Sequence, residues 1–481
     1  MDRPEPVVVG FDLDMTLIDT TPGFAATLVA LSREVGVDFD VDRMCERLGP
    51  PIEEMLAPYF PADRLPALAD RFRALYPEHA ISRIAALEGA HEALAAVRRH
   101  GGRTVVVTGK VRRNAVLHVD GLRFDIDHLV GGVWGAGKGD VLREHGASIY
   151  VGDHVLDVEG ARRAGALSVS VLTGGCTEGE LLVAGTDVVL EHLGQFPEWL
   201  DEHLLTQRLR ALVSDLRERG SVLVAFSGGA DSAFLLAAAV RALGADNVAA
   251  ATAYSDSLPH GERSPALDFC RDLGVRVFTP QTHEMEREGY RANAGDRCYF
   301  CKAELLDVLA PVAAEHGLAH VATGTNADDA QSGFRPGIRA ADERGAITPL
   351  CDAALTKEQI REASRRWDLP TWDKPAAACL SSRVAYGVEV SPHRLSRIER
   401  AEVAVRAALD EAGIGVRNLR VRDLGDRASI EVDAEAVPAA RAAQGVVSAA
   451  TTAGFADAEV DAQGFRSGSM NELLPDPERF R

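Results

Sequence analysis

Six consecutive residues, Ser227-Gly228-Gly229-Ala230-Asp231-Ser232, carry the residue types that can hold a phosphate. Glycines let backbone N–H groups approach an anion closely, and serine hydroxyls donate further hydrogen bonds. The spacing G-x-x-x-x-G-K-[ST] is absent, so the lysine that grips a transferred phosphoryl group in a Walker loop is missing. Far upstream, Asp12 and Asp14 stand two apart at the end of an apolar run. Two carboxylates so placed can divide labour, one attacking or binding a metal while the other moves a proton. Thr108, Lys138, Asp153 and Asp157 add a hydroxyl, a cation and two acids further along. The third group is sulfur: Cys298 and Cys301 form a CxxC and Cys379 lies downstream, three thiols that could ligate a metal or supply sulfur.

The elements that must place these groups follow from the hydrophobic pattern. Residues 222–225 form a continuous apolar run, a buried parallel strand, and an apolar helix comes after the Ser/Gly stretch, so its positive end points at a bound phosphate. Strands and helices then alternate as in a parallel, doubly wound α/β sheet. VAAATAYSDSLP predicts a second strand ending at Tyr254 and Ser255, VRVFTP a third, and LAHVATGTNADD a fourth ending at Thr325 and Asn326. Ligands bind at such strand ends near the switch point, so these polar residues are expected to ring a nucleotide. Near the C-terminus, NLRVRDLGDRASIEV presents Arg420 and Arg422 two apart on one strand face, with Glu431 in the same hairpin to orient them. Such a pair could clamp the phosphate of a mononucleotide; a solvated strand face is the alternative. At the N-terminal end a strand at residues 7–11 leads into Asp12, and residues 20 to about 85, rich in helix formers and broken at Pro50-Pro51, read as a helical cap. The chain thus divides into residues 1–205, 206–385 and 386–481, two α/β domains followed by a small α+β unit.

A chain of 481 residues with 46% hydrophobic content can bury several cores. No run approaches the ~20 apolar residues of a membrane helix, and the opening MDRPEPVVVG lacks a signal-peptide apolar segment. A cytoplasmic protein without a membrane partner is the expectation. The net charge of -20 works against a polyanionic partner, so no nucleic acid is expected. Seven cysteines, an odd number, argue for thiol or metal chemistry over a disulfide framework. Cys45, Cys176, Cys270 and Cys351 lie outside the motifs and read as ordinary buried thiols.

The upstream group resembles the haloacid dehalogenase (HAD) superfamily of phosphatases. DxDxT from Asp12, Thr108 in RTVVVTGK, Lys138 in GAGKGDVL and GDxxxD with Asp153 and Asp157 occur in that family's order. The resemblance implies a Rossmann-like domain in which Asp12 is a nucleophile forming an aspartyl phosphate, Asp14 the acid/base, and Thr108 and Lys138 the phosphoryl clamp. Mg2+ would be held by Asp12, the Asp14 carbonyl and Asp153, with Asp157 in support, an all-oxygen set that suits this ion. Two departures stand out: Gly139 follows the lysine where proline is common, and Lys110 offers a competing cation. The phosphomonoester is left open, and a domain that binds a phosphorylated ligand without hydrolysing it is the alternative.

The SGGADS stretch resembles the PP-loop of ATP pyrophosphatases, which split ATP to AMP and pyrophosphate. DRCYFCK, GTNADDAQSGFRPG, WDKPAAACLSSRVAYG and GFRSGSMNE narrow the resemblance to the ATP-dependent sulfur transferases of nickel-pincer cofactor biosynthesis, the LarE family. It implies that a carboxylate on a pyridinium mononucleotide is adenylated by ATP, with Mg2+, and that sulfur then displaces AMP to give a thiocarboxylate. Arg335 and Arg383, inside those segments, join Arg420, Arg422 and Glu431 as implied substrate contacts. Between Ala330 and Gly333 the family's acidic residue is missing and the loop runs one residue long. Three thiolates can hold a 4Fe-4S cluster with one iron open to hydrosulfide, and this is the expected version. The alternatives are sacrifice of the Cys379 sulfur, a zinc site completed by Cys270, Cys351 or His283, and a Cys298–Cys301 disulfide. Likeness to the family also implies a homo-oligomer. PP-loop tRNA thiolation is the competing reading, opposed by the acidity and by the CLSSR and GFRSGSMNE segments.

Overall fold

The computed structural model describes residues 6–46, 48–331, 336–375, 378–466 and 469–470. They fall into two compact units, divided between Leu204 and Leu205. In the N-terminal unit the strands are β1 (Val8–Phe11), β2 (Ile18–Asp19), β3 (Ala85–Ala86), β4 (Arg103–Thr108), β5 (His128–Gly131), β6 (Ile149–Gly152), β7 (Leu167–Val171) and β8 (Val188–Leu190). Six of them form a parallel sheet in the order β5-β4-β1-β6-β7-β8. Alternate residues of the central strands feed two separate cores: Val9, Phe11, Val106 and Val151 enter one, Val8, Val105, Val107 and Tyr150 the other. With both faces covered, these strands must be apolar throughout, which is why they read as continuous runs. Four helices, Thr21–Val35, Val41–Glu46, Ile52–Leu56 and Leu65–His79, lie between β2 and β3. Those two strands pair antiparallel, Ile18 with Ala86 and Asp19 with Ala85, and make a two-stranded stem for the helical insertion.

The second unit opens with β9 (Val222–Ala225), β10 (Val248–Ala251), β11 (Arg276–Phe278) and β12 (His320–Thr323), all parallel, in the order β11-β10-β9-β12. The chain steps outward from β9 to β11 and then returns to the far side of β9. That reversal opens a crevice at the C-terminal ends of β9 and β12. The strands stop short of Tyr254 and Asn326; Tyr254 instead makes an isolated bridge with Gln281. Later in the chain come β13 (Leu419–Asp423), β14 (Arg427–Val432) and β15 (Asp457–Val460), the first pair antiparallel and the second parallel. Their core joins Val421 and Ile430 to Leu395 and Ile398 of the helix Pro392–Glu411. Tyr290, Phe300 and Cys301 from the β11–β12 connection pack into this same core, which fastens the start of the cysteine-bearing helix Arg297–Glu315. Among the described residues no helix is long and apolar enough to cross a membrane.

Candidate active sites

Three adjacent strands deliver the first site. Asp12 leaves the end of β1, Thr108 closes β4, and Asp153 follows β6. Asp14 lies in the turn toward β2, beside Met15 at φ +57°. Lys138 and Asp157 sit in the first turns of the helices Ala136–Glu144 and Val155–Ala164. Lys138 Nζ donates to Asp12 Oδ1 at 2.9 Å and to Asp157 Oδ1 at 2.6 Å. Thr16 Oγ1 donates to Asp153 Oδ1 at 3.0 Å, and Thr108 Oγ1 to Asp14 Oδ2 at 3.4 Å. All six residues expected from the sequence line one cavity of about 140 Å3, which Phe24, Phe72 and Tyr76 of the helical insertion also line.

Carboxylate oxygens of Asp12, Asp153 and Asp157, all buried, lie within 4.8 Å of one another. Burial, opposed by Lys138 and reinforced by Asp157 and Asp14, pushes Asp12 up to about 7. Burial and the same crowding by Asp157 and Asp12 push Asp153 well above the usual carboxylate range. One lysine against three acids leaves negative charge that a divalent cation would neutralise, and the all-oxygen donor set fits Mg2+. The competing cation does something else: Lys110 Nζ pairs with Asp14 Oδ1 at 2.8 Å and donates to Tyr76 OH at 2.7 Å. Burial raises Asp14, but Lys110 outweighs it and the carboxyl lies below its ordinary value. Tyr76 belongs to the helix Leu65–His79, so that helix reaches Asp14 through Lys110, while Thr20, at the start of the insertion, donates to Asp14 Oδ1 directly at 2.5 Å. Nothing local marks Tyr76 for this; only folding brings it to Lys110.

The second site is built on the β9–β12 crevice. Gly228 turns at φ +71°, a conformation open to glycine without strain, and carries the chain into the helix Ala230–Leu243. Ser227 Oγ and Ser232 Oγ are 3.1 Å apart, and the Gly229 N–H donates to Ser227 Oγ at 3.4 Å. Across the crevice Gly324 comes so close that a Cβ there would meet Ser232 N at 2.9 Å. Ser227, Gly229, Asp231, Ser232, Ser255 and Thr325 line a cavity of about 830 Å3. Tyr254 and Asn326 do not. The Tyr254 ring lies under the Arg263 guanidinium, 4.8 Å away, and buried Asn326 braces Asp231 with an Nδ2 to Oδ2 bond of 3.2 Å. Distant segments supply cations to the same cavity: Lys302, Lys357, Arg361 and Lys374. Lys374 Nζ donates to Gly228 O at 2.9 Å and pairs with Glu262 at 2.6 Å. Lys302 and Lys374 fall inside motif segments and were within reach of sequence reading, whereas Lys357 and Arg361 carry no local signal.

Cys301 and Cys379 line this cavity; Cys298, three residues before Cys301 on the same helix, is exposed. Burial, then Cys379, Glu284 and Cys298, push the Cys301 thiol well above its ordinary value. Arg297, buried, donates to Asn293 Oδ1 at 2.5 Å and to Ser381 O at 2.7 Å, and the nearby Cys379 and Cys298 strengthen its hold on its proton against burial. Cys270, outside the motifs, is buried, and burial pushes its thiol up to about 12. Arg383 donates to Cys379 O at 2.9 Å and pairs with Glu402 at 3.0 Å, so it braces the backbone of Cys379. The two-apart arginines part company. Arg420 lines the cavity, and burial, then the neighbouring Arg383, pull it down to about 10. Arg422 lies beneath, paired with Glu431 at 2.7 Å and donating to Ser382 O at 3.2 Å, and neither it nor Glu431 lines the cavity. Arg335 lies outside the described residues, as do Ala376, Ala377, Ser467, Gly468 and the chain from Asn471 on.

Sheet order, strand-end acids and the lysine between them define the class. The family described as haloacid dehalogenase-like hydrolase matches residues 9–162, and a HAD-hydrolase-like family matches residues 140–196. The N-terminal unit is a HAD-like hydrolase domain of phosphatase type. Phosphoglycolate phosphatase of Caulobacter vibrioides is 27% identical over 216 residues, 40% of this chain and 89% of its own. Pyridinium-3,5-bisthiocarboxylic acid mononucleotide synthase of Lactiplantibacillus plantarum is 31% identical over 276 residues, 56% of this chain and 96% of the synthase. An uncharacterized protein of Synechocystis sp. reaches 37% over 276 residues, 56% of this chain and 99% of its own. Over that share of its length, the chain belongs to the family of the pyridinium-3,5-bisthiocarboxylic acid mononucleotide synthase.

Proposed function

We propose that the chain is bifunctional: a phosphomonoester hydrolase joined to an enzyme that adenylates a carboxylate of a pyridinium mononucleotide with ATP and exchanges its oxygen for sulfur. In the hydrolase, Asp12 attacks phosphorus to form an aspartyl phosphate, Asp14 protonates the leaving oxygen and later takes a proton from water, and Thr108 and Lys138 hold the phosphoryl oxygens. Mg2+, held by Asp12, the Asp14 carbonyl and Asp153 with Asp157 in support, would neutralise charge on the transferring group.

What supports the sulfur-transfer half is one cavity lined together by the Ser/Gly loop, by Cys301 and Cys379, and by Arg420. Ser227, Gly229 and Ser232 hold the ATP phosphates at the N-terminus of a 14-residue helix, so that AMP transfers to the substrate carboxylate and pyrophosphate leaves. Arg420 takes the mononucleotide phosphate, and Cys379 stands at the sulfur end. Adenylation matters because a carboxylate resists attack until its oxygen is part of a good leaving group. The charges of Cys379 and Cys298 are both felt at Cys301, and these three thiols would hold a 4Fe-4S cluster whose fourth iron, left without a protein ligand, would accept hydrosulfide from solution for repeated turnover.

The test is an anaerobic preparation given ATP, Mg2+ and a pyridinium carboxylate mononucleotide. The proposal expects AMP, pyrophosphate and several thiocarboxylates per chain, with iron and acid-labile sulfide in the protein. At most one turnover without iron would make Cys379 the sulfur source, and absence of AMP would overturn this half. Failure to release phosphate from any phosphomonoester would overturn the other.

A further inference from the structure

Glu284 belongs to no motif, yet its placement is unusual for a carboxylate. It opens a single turn, Glu284–Glu286, in the connection from β11 to β12, is 3% exposed, and lines the same cavity as Cys301 and Cys379. Oε1 accepts a hydrogen bond from Ser257 Oγ at 3.1 Å, while Oε2 has no hydrogen-bond partner. The other glutamates of that cavity each have a side-chain partner: Glu262 pairs with Lys374 at 2.6 Å, Glu402 with Arg383 at 3.0 Å, and Glu399 is hydrogen-bonded to His260 Nδ1 at 2.9 Å. A buried carboxylate with an unpaired oxygen is destabilising unless a positive charge beside it offsets its burial. Its charge is felt at Cys301, which puts it at the sulfur end of the cavity.

We infer that Glu284 is the counter-charge for the cationic ring of the substrate. The inference rests on the reading of the substrate as a pyridinium mononucleotide. Such a molecule carries a positive ring, anionic carboxylates and a phosphate; Arg420 suits the phosphate, and Glu284 suits the ring. Seating the ring against Glu284 brings its carboxyl carbon toward the cysteines. A ligand with a neutral ring would leave Glu284 buried and uncompensated, so the residue selects the oxidised, cationic ring over a reduced one.

The experiment is calorimetric titration of the full chain with nicotinate mononucleotide and with its 1,4-dihydro form, whose ring is neutral. Wild type is expected to bind the cationic ligand at least about tenfold more tightly. Glu284→Gln is expected to abolish that preference through loss on the cationic ligand alone, Glu284→Asp to restore part of it, and ATP affinity to stay unchanged throughout, which certifies the fold. Equal weakening of both ligands in Glu284→Gln, or an intact preference, would overturn the inference. Wild type that binds ATP but neither mononucleotide would remove the substrate reading itself, and the inference with it.

Discussion

The two cavities handle charge in opposite ways. In the N-terminal unit the buried Asp12, Asp153 and Asp157 cluster around Lys138 on a cavity of about 140 Å3, and each of these four comes from, or next to, the end of a central strand or the first turn of a helix. In the C-terminal unit about 830 Å3 is lined by a strand-end loop, by a helix start inside a long crossover, and by a β-hairpin far along the chain. A phosphoryl group and one metal ion are compact, and strand ends alone can surround them. The two substrates and sulfur donor proposed for the second site would need a wider space, which one sheet edge cannot enclose.

The sharpest way to break this comparison is to cross the two activities. Asp12→Asn should lower phosphate release by on the order of 10^4-fold or more while leaving AMP production unchanged, and Cys379→Ser should do the reverse for thiocarboxylate. Loss of both activities in either variant would show that the sites do not act separately. A second, smaller effect separates neighbours within the large site. Arg422→Ala leaves Glu431 buried without its partner and should cost about 3–5 kcal/mol in chemical denaturation. Arg420→Ala should leave stability unchanged and weaken mononucleotide binding about 10- to 100-fold, read by titration. Identical behaviour of the two would erase the distinction drawn from their burial.

A further effect, read only as a pH dependence, concerns the crowded unit. Burial, then Lys110, push His118 down to about 4 from its ordinary 6.5, and its Nε2 lies 3.1 Å from Tyr76 OH. Because the folded value is the lower one, the unfolded chain binds the extra proton first as pH falls. The contribution is whole above pH 6.5 and is lost as pH falls toward 4, at up to roughly 1.4 kcal/mol per pH unit. His118→Gln should flatten that part of the melting-temperature profile; an unchanged acid limb would refute the assignment.

Much of the first site was legible because its parts are local. A continuous apolar run ending in Asp12, and another ending in Thr108, announce buried parallel strands and the residues at their ends. Lys110 was visible as a competing cation, but its engagement with Asp14 and Tyr76 was not, since Tyr76 reaches it from a separate helix. In the second site, the alternation of β13 correctly puts Arg420 and Arg422 on one face, and the register sets Glu431 opposite Arg420. The carboxylate nevertheless takes the diagonal partner, Arg422, and leaves Arg420 to the cavity. Glu284 was illegible, because an acid in the polar stretch HEMERE looks like any solvated loop residue.

From the sequence alone came the inventory: the strands and helices, the Ser/Gly loop, the strand-end acids and the three motif cysteines, all carried by local periodicity and spacing. Only the tertiary structure decided which charges are spent on one another and which remain open, because that depends on burial. Lys110 is committed to Asp14, Arg422 to Glu431 and Arg383 to Glu402, while Glu284 keeps one oxygen unpaired. Removing a charge from water makes its pairing decisive, and the partners that leave or fill each gap arrive from segments no local pattern connects.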